Sequence, residues 1–212
     1  LTLAIATDHL LKNEFDVYRE KQSSEHPIFR KYDLKVVPYQ HTEIETWRQN
    51  FKGIRYLDEG TNLEVFGAVD DVWEDINSKE LYIVDYKSTS KQGDPNIETG
   101  WGLSYKKQME IYQWLFRKND FPVSDRGYFL YVNGVKGDNK FYSDHKGYED
   151  VGFMEFNTTL IPYIGNIDWV SDTLMLIKKA LMNEKLPEPN KSWDENRYFY
   201  ERLQLERELG EI

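Results

Sequence analysis

The chain has 212 residues and a formal net charge of −10; 40% of the residues are hydrophobic, 15% are aromatic and none is cysteine. This length and composition fit one domain whose core needs no cross-links. The missing cysteines exclude disulfides, thiolate zinc sites and cysteine-ligated iron–sulfur clusters within these residues. Any metal must be held by oxygen or imidazole, which favours hard cations such as Mg²⁺ or Mn²⁺. The negative charge argues against a general nucleic-acid coat, but not against a site where a cation neutralises acidic ligands locally.

No membrane or targeting segment is expected. No apolar run approaches the roughly 20 residues of a membrane span, and no charged stretch followed by an apolar one opens the sequence. We therefore expect a soluble, cytoplasmic protein.

Two helices are predicted in the N-terminal part of the chain. Apolar residues recur at three- and four-residue spacing from Thr2 to Glu20, which is typical of an amphipathic helix. A loop-like stretch follows through Lys35. A second helix is predicted from Thr42 to Phe51, with Thr42 as its cap.

A β-hairpin is predicted next, and it forms the centre of the expected fold. Leu63–Trp73 and Glu80–Ser88 are rich in strand-forming residues, and the polar residues 75–79 between them suit a turn. The second strand has apolar residues on both faces, which predicts a central strand covered on both sides.

The remaining elements alternate between helix and strand. They are a helix at Leu103–Lys118, strands at Gly127–Asn133 and Gly152–Asn157, a helix at Ile167–Met182 ended by Pro187 and Pro189, and a charged helix at Asp194–Leu209. This order predicts an α/β fold with a central mixed β-sheet flanked by helices. We expect a single domain over residues 1–212, with a core at about 60–135 and a C-terminal helical segment at about 166–212.

Three groups of polar residues interrupt these apolar elements. Asp85 and Lys87 share a face of the central strand, because successive side chains of a strand alternate between faces. On the preceding strand, Gly67 allows a close approach, and Asp70 needs a metal or a polar partner. In the expected hairpin register, Asp70 and Asp85 converge on one cation. Asp71, on the opposite face, is expected to face solvent or cap a helix.

The third group lies on the predicted helix Leu103–Lys118. Gln108 and Tyr112 are four residues apart and therefore share a face. Lys91, Lys106 and Lys107 supply positive charge for a phosphate backbone. Two of the groups also have a simpler interpretation: a strand that runs out into solvent at Asp85 and Lys87, and a core helix with a buried tyrosine and an incidental amide at Gln108 and Tyr112.

Taken together, Gly67-x-x-Asp70, Asp85-x-Lys87 and Gln108-x-x-x-Tyr112 resemble the RecB-type branch of the PD-(D/E)XK nucleases. The resemblance covers roughly Leu63–Asn119 and implies a restriction-endonuclease-like core. It also implies a Mg²⁺- or Mn²⁺-dependent nuclease acting on DNA, as an exonuclease or a structure-selective enzyme in DNA repair, recombination or defence. Many relatives bind an iron–sulfur cluster through four cysteines, and a chain without cysteine departs from that pattern.

The resemblance also implies roles for individual residues. Asp70 and Asp85 would be metal ligands, with the backbone carbonyl of Tyr86 as a third. Asp8 is a further candidate ligand, since Ala4–Leu11 resembles a helical motif in which relatives carry histidine; His9 is its neighbouring alternative, and a helix cap is the structural interpretation of Asp8.

The catalytic roles that the resemblance implies fall to three side chains. Lys87 would position or activate the attacking water, and Gln108 and Tyr112 would orient the site or the substrate backbone. Two other functions stay open: a catalytically inactive nucleic-acid-binding or protein-interaction module on the same fold, and a metal-dependent hydrolase of another substrate. The intact Asp70, Asp85 and Lys87 favour the nuclease, whereas the net charge favours the inactive module.

Overall fold

The computed structural model describes residues 2–135, 152–183 and 194–210. Its helices are α1 (Thr2–Lys21), α2 (Pro27–Lys31), α3 (Ile44–Trp47), α4 (Gly102–Lys118), α5 (Asp168–Leu181) and α6 (Asp194–Glu208). Its strands are β1 (Val36–Pro38), β2 (Ile54–Asp58), β3 (Leu63–Gly67), β4 (Asp71–Asp75), β5 (Leu81–Thr89), β6 (Arg126–Gly134) and β7 (Phe156–Ile164). The chain divides into two compact units, Leu1–Val170 and Ser171–Ile212. The first unit holds all seven strands given above, and the second holds α6 and most of α5.

A five-stranded mixed sheet forms the centre of the first unit, in the order β1-β4-β5-β6-β7. β5 pairs antiparallel with β4 and parallel with β6, and β7 closes the far edge antiparallel to β6. The α/β class, the mixed sheet and the central position of β5 confirm the sequence predictions. β2 and β3 form a separate two-stranded antiparallel sheet.

Helices cover the two faces of β5 because apolar side chains point both ways along it. On one face, Phe15 of α1 and Phe29 of α2 pack in one buried cluster with Trp73, Val84 and Tyr86. Burying a large apolar side chain of this kind contributes roughly 1.5–3 kcal/mol to stability. The other face receives α4. A Cβ added at Gly127 of β6 would lie 2.5 Å from the Met109 sulfur and 3.0 Å from the Ile83 carbonyl oxygen, so the helix packs closely on the sheet.

The structure corrects the predicted strand Leu63–Trp73, which is two strands in different sheets. β3 pairs with β2, whereas β4 joins the main sheet. Between them the Val69 N–H donates to the Trp47 carbonyl, 3.0 Å away, instead of to a neighbouring strand. Asp70 therefore lies in a break between two sheets and not within a ladder.

Smaller corrections concern element boundaries. The loop predicted through Lys35 contains α2, and β1 follows it. The helix predicted at Thr42–Phe51 is the short α3, whose cap residue is Glu43 without a side-chain cap bond, so the cap assigned to Thr42 is wrong. The strand predicted at Gly152–Asn157 is instead β7, whose position is set by its pairing with β6. Pro187 and Pro189 lie outside the described residues. Within the described ranges, no helix combines the length and apolar character that crossing a bilayer requires.

Candidate active site

β5 and α4 bring four of the candidate residues into one connected chain of contacts. The Lys87 ammonium lies 2.5 Å from Asp85 Oδ2 and donates to Gln108 Oε1 at 3.2 Å. Gln108 Nε2 in turn donates to the Tyr112 hydroxyl at 2.9 Å. The lysine is therefore held between a carboxylate of the central strand and an amide of the helix.

Gly67 fits this arrangement for a steric reason. A Cβ at this position would lie 2.5 Å from Cε1 of Tyr112, which is closer than carbon atoms can approach without displacement. The Tyr112 ring is 8% exposed and fills the space that a side chain at residue 67 would need. The glycine of Gly67-x-x-Asp70 thus lets the break carrying Asp70 approach α4.

Asp70 is held from two sides. Its Oδ2 accepts a 2.7 Å hydrogen bond from the Tyr86 N–H, and its Oδ1 lies 3.7 Å from the Lys12 ammonium. Burial and the charge of Asp85 raise the pKa of Asp70 to about 7. The charge of Asp85 therefore acts on Asp70.

Asp85 is almost fully buried, with 3% of its surface exposed. Burial raises its pKa, although Lys87 opposes the shift. Its Oδ2 lies 2.5 Å from the Lys87 ammonium, and no other hydrogen-bond donor contacts this oxygen among the described residues. A buried carboxylate oxygen in this state has capacity left for a further positive group.

Asp8 also reaches this cluster. It lies within α1, six residues past Thr2, so the interpretation of Asp8 as a helix cap is wrong. Its carboxylate is 2.9 Å from the Lys12 ammonium, which bridges it to Asp70. His9 is exposed.

A family model of the PD-(D/E)XK nuclease superfamily matches residues 3–192. The chain belongs to this superfamily. This match confirms the superfamily that was predicted from the sequence, and the mixed sheet flanked by helices agrees with its fold. Members of the superfamily use divalent metals. In the comparisons with curated proteins and with solved structures, no match was found.

Sequence reasoning misplaced Asp71 of this PD-(D/E)XK protein, which is fully buried rather than solvent-facing or a cap. Its Oδ1 lies 2.5 Å from Arg19 and 3.2 Å from Arg48, and its Oδ2 accepts from the Tyr86 hydroxyl at 2.8 Å. Burial alone would raise the pKa of Asp16, but hydrogen bonds from the same two arginines hold it below its ordinary value. Two buried guanidinium groups are thus balanced by two carboxylates.

The predicted DNA-binding lysines have different surroundings. Lys106 is paired with Glu98 at 2.7 Å, and the Lys107 ammonium lies 5.6 Å from the centre of the Trp169 ring. Lys91 is exposed and lines a cavity that also contains Lys87. Lys91 is the one of the three that shares a cavity with the candidate active-site lysine.

Two contacts of the site were missed by sequence reasoning. Lys12 was detectable, because Asp8 and Lys12 have the four-residue spacing of a helical ion pair. The Thr7 and Ser88 hydroxyls lie 2.5 Å apart and tie α1 to β5 beside Lys87. These two residues are 81 apart in sequence, and no local pattern signals their contact.

The donor set suits a hard cation, since its candidate ligands are all oxygen atoms. Among the described residues, no three His, Cys, Asp or Glu side chains form a ready-made metal site. A cation here would therefore be held by the two carboxylates, Asp70 and Asp85, with backbone or water oxygens completing its shell. The remaining capacity of Asp85 Oδ2 is consistent with a cation-binding position, whereas the Lys12 ammonium already gives Asp70 a positive partner.

Proposed function

We propose that this protein is a Mg²⁺- or Mn²⁺-dependent nuclease of the RecB-type branch that hydrolyses DNA phosphodiester bonds. The observation that carries the proposal is the unbroken contact of Asp85, Lys87, Gln108 and Tyr112, placed beside Asp70 at the end of β5. An exonuclease or a structure-selective nuclease in DNA repair, recombination or defence is the activity we infer.

In this proposal Asp70 and Asp85 would hold the cation, the Tyr86 carbonyl would be a third donor and Asp8 a further one. A bound Mg²⁺ or Mn²⁺ would polarise the phosphoryl oxygen and lower the pKa of a bound water. Because the pKa of Asp70 is raised to about 7, this carboxyl must lose its proton before it can serve as a ligand.

Lys87 then orients the attacking water and stabilises negative charge on the phosphoryl group. It can do so because Asp85 and Gln108 fix its ammonium from two sides. Gln108 is a positioning residue, since it acts through Lys87 and Tyr112. Burial raises the pKa of Tyr112 further above its ordinary value, so its hydroxyl stays protonated.

Labelled single- and double-stranded DNA incubated with Mg²⁺, Mn²⁺ or EDTA tests this function. We expect cleavage with metal, none in EDTA, and a large loss in Asp70→Asn. Asp33→Asn is the matched control, because Asp33 has 89% of its side chain exposed and pairs with Lys35. Adding circular DNA separates endonuclease from exonuclease activity. The absence of metal-dependent cleavage by the wild type, or full cleavage by Asp70→Asn, would refute the proposal.

The second candidate, an inactive nucleic-acid-binding or protein-interaction module, is supported by Lys12. Its ammonium neutralises Asp8 and Asp70 without a metal. The two candidates predict opposite results for calorimetric titration with Mn²⁺. A nuclease should bind Mn²⁺ with Lys12 in place. If Asp8 is a ligand, Asp8→Asn should bind Mn²⁺ more weakly than the wild type. A module in which Lys12 replaces the metal should bind Mn²⁺ only once Lys12 is removed.

A further inference from the structure

A cavity of about 390 Å³ opens beside the candidate active site. Its lining comes from the end of β5, the connection that follows it, the start of α4 and one residue of β6. Lys87 belongs both to this lining and to the candidate active site. A ligand in the cavity would therefore lie next to the site where cleavage is proposed.

Aromatic rings distinguish this cavity. Trp101 is 72% exposed, which is unusual for a ring of its size in a protein with a well-packed core. Tyr105 is half-buried, and the Lys87 ammonium lies 4.4 Å from the centre of its ring. Burial raises the pKa of Tyr131, a third lining residue, to about 12, so its hydroxyl remains neutral. The cavity thus offers flat apolar faces with polar groups at their edges.

The charge and shape of the cavity also limit what can bind. Its lining contains two lysines, Lys87 and Lys91, and one acid, Asp94. Within the described part of the chain, the Lys91 ammonium makes no ion pair. The Lys91 N–H and C=O both bond to the Asn133 side chain at 3.0 Å, which anchors this end of the connecting segment. The Lys87 ammonium is paired with Asp85, so Lys91 is the lining cation that is left for a phosphate. A cavity of this volume is large enough for a planar group attached to a phosphate.

We propose that this cavity binds an unpaired nucleobase of a single-stranded DNA substrate, stacked on Trp101 next to Lys87. Base stacking on aromatic side chains combined with nearby cations is how proteins hold single strands with little sequence preference. A paired base is enclosed in its duplex and cannot enter a concave pocket without being unstacked. The inference rests on the proposed nuclease function and specifies its substrate class.

Fluorescence anisotropy in EDTA, with labelled oligonucleotides that carry one abasic site at successive positions, tests the pocket. The wild type should lose about fivefold to 150-fold in affinity when the abasic site reaches the nucleotide held by the pocket. Trp101→Ala should lose a similar factor for the intact oligonucleotide and become insensitive to the abasic site. Phe51→Ala is the matched control, because Phe51 is 85% exposed and does not line the cavity.

Three results would overturn the inference: an abasic site that has no effect at any position in the wild type, a Trp101→Ala variant that binds the intact strand as the wild type does, or duplex DNA that binds as tightly as the single strand. The first and third need no variant, so they decide the matter even if Trp101→Ala misfolds. Failure of the nuclease proposal is distinguishable, because binding in EDTA does not depend on cleavage.

Discussion

Replacing Asp71 by asparagine should lower the melting temperature, whereas the same change at the neighbouring Asp70 should stop cleavage without that loss. Asp71 is fully buried and faces Arg19 and Arg48, whose side chains are 7% and 5% exposed. Asparagine keeps the shape of the side chain but removes its charge. The two arginines would then keep Asp16, and Arg48 would also keep the exposed Glu45 at 3.1 Å.

The magnitude follows from the burial of these charges. Removing one partner of a buried ion pair costs about 3–5 kcal/mol, because the remaining charge is left uncompensated. Asparagine can still accept hydrogen bonds, so we expect the lower end, about 3 kcal/mol. In a unit of this size, that corresponds to roughly 6–12 °C in melting temperature.

Thermal unfolding followed by circular dichroism, together with the DNA cleavage assay well below both melting temperatures, gives the comparison. Asp71→Asn should melt earlier and retain more cleavage than Asp70→Asn. If Asp71→Asn melted like the wild type but lost cleavage, the ionic network would not be a stabilising one, and our account of Asp71 would be wrong.

Three further changes have equally direct outcomes. Lys87→Ala should abolish cleavage while the protein still folds, because the buried Asp85 can take up a proton once the Lys87 ammonium is removed. Unchanged cleavage would contradict the role of Lys87. Gly67→Ala should lower both the melting temperature and the cleavage rate, because the alanine methyl group would lie 2.5 Å from Cε1 of Tyr112. A variant that melts and cleaves like the wild type would exclude that contact. In EDTA, the stability advantage of Asp70→Asn over the wild type should grow as pH rises from about 4 to 7 and then level off, as measured by urea unfolding. The sign follows because the folded protein raises the pKa of Asp70 from 3.8 to about 7, so the wild type is penalised only when this carboxyl is ionised. At about 1.4 kcal/mol per pH unit, the difference in the free energy of unfolding should reach about 4 kcal/mol. A difference that does not change with pH would refute this account of Asp70.

Elements with local signals could be predicted from the amino-acid sequence. The apolar spacing of Thr2–Glu20 and the two-faced apolar pattern of Glu80–Ser88 predicted α1 and β5 within one residue at each end. The helix predicted at Leu103–Lys118 is α4. The order of glycine, carboxylates, lysine, glutamine and tyrosine predicted the superfamily, because that chemistry needs these residue types at element ends. These properties depend on neighbours along the chain and can be read without knowing the tertiary contacts.

The tertiary structure decided what depends on partners distant in sequence. Asp70 and Asp71 are adjacent, yet Asp70 lies in a break between sheets while Asp71 is buried against arginines 52 and 23 residues away. The contact of Thr7 with Ser88 and the position of Lys12 beside Asp70 likewise depend on how α1 packs on β5. A buried charge is stable only where the fold supplies its counter-charge. The residues next to Asp71 in the sequence do not indicate which distant arginines will supply it.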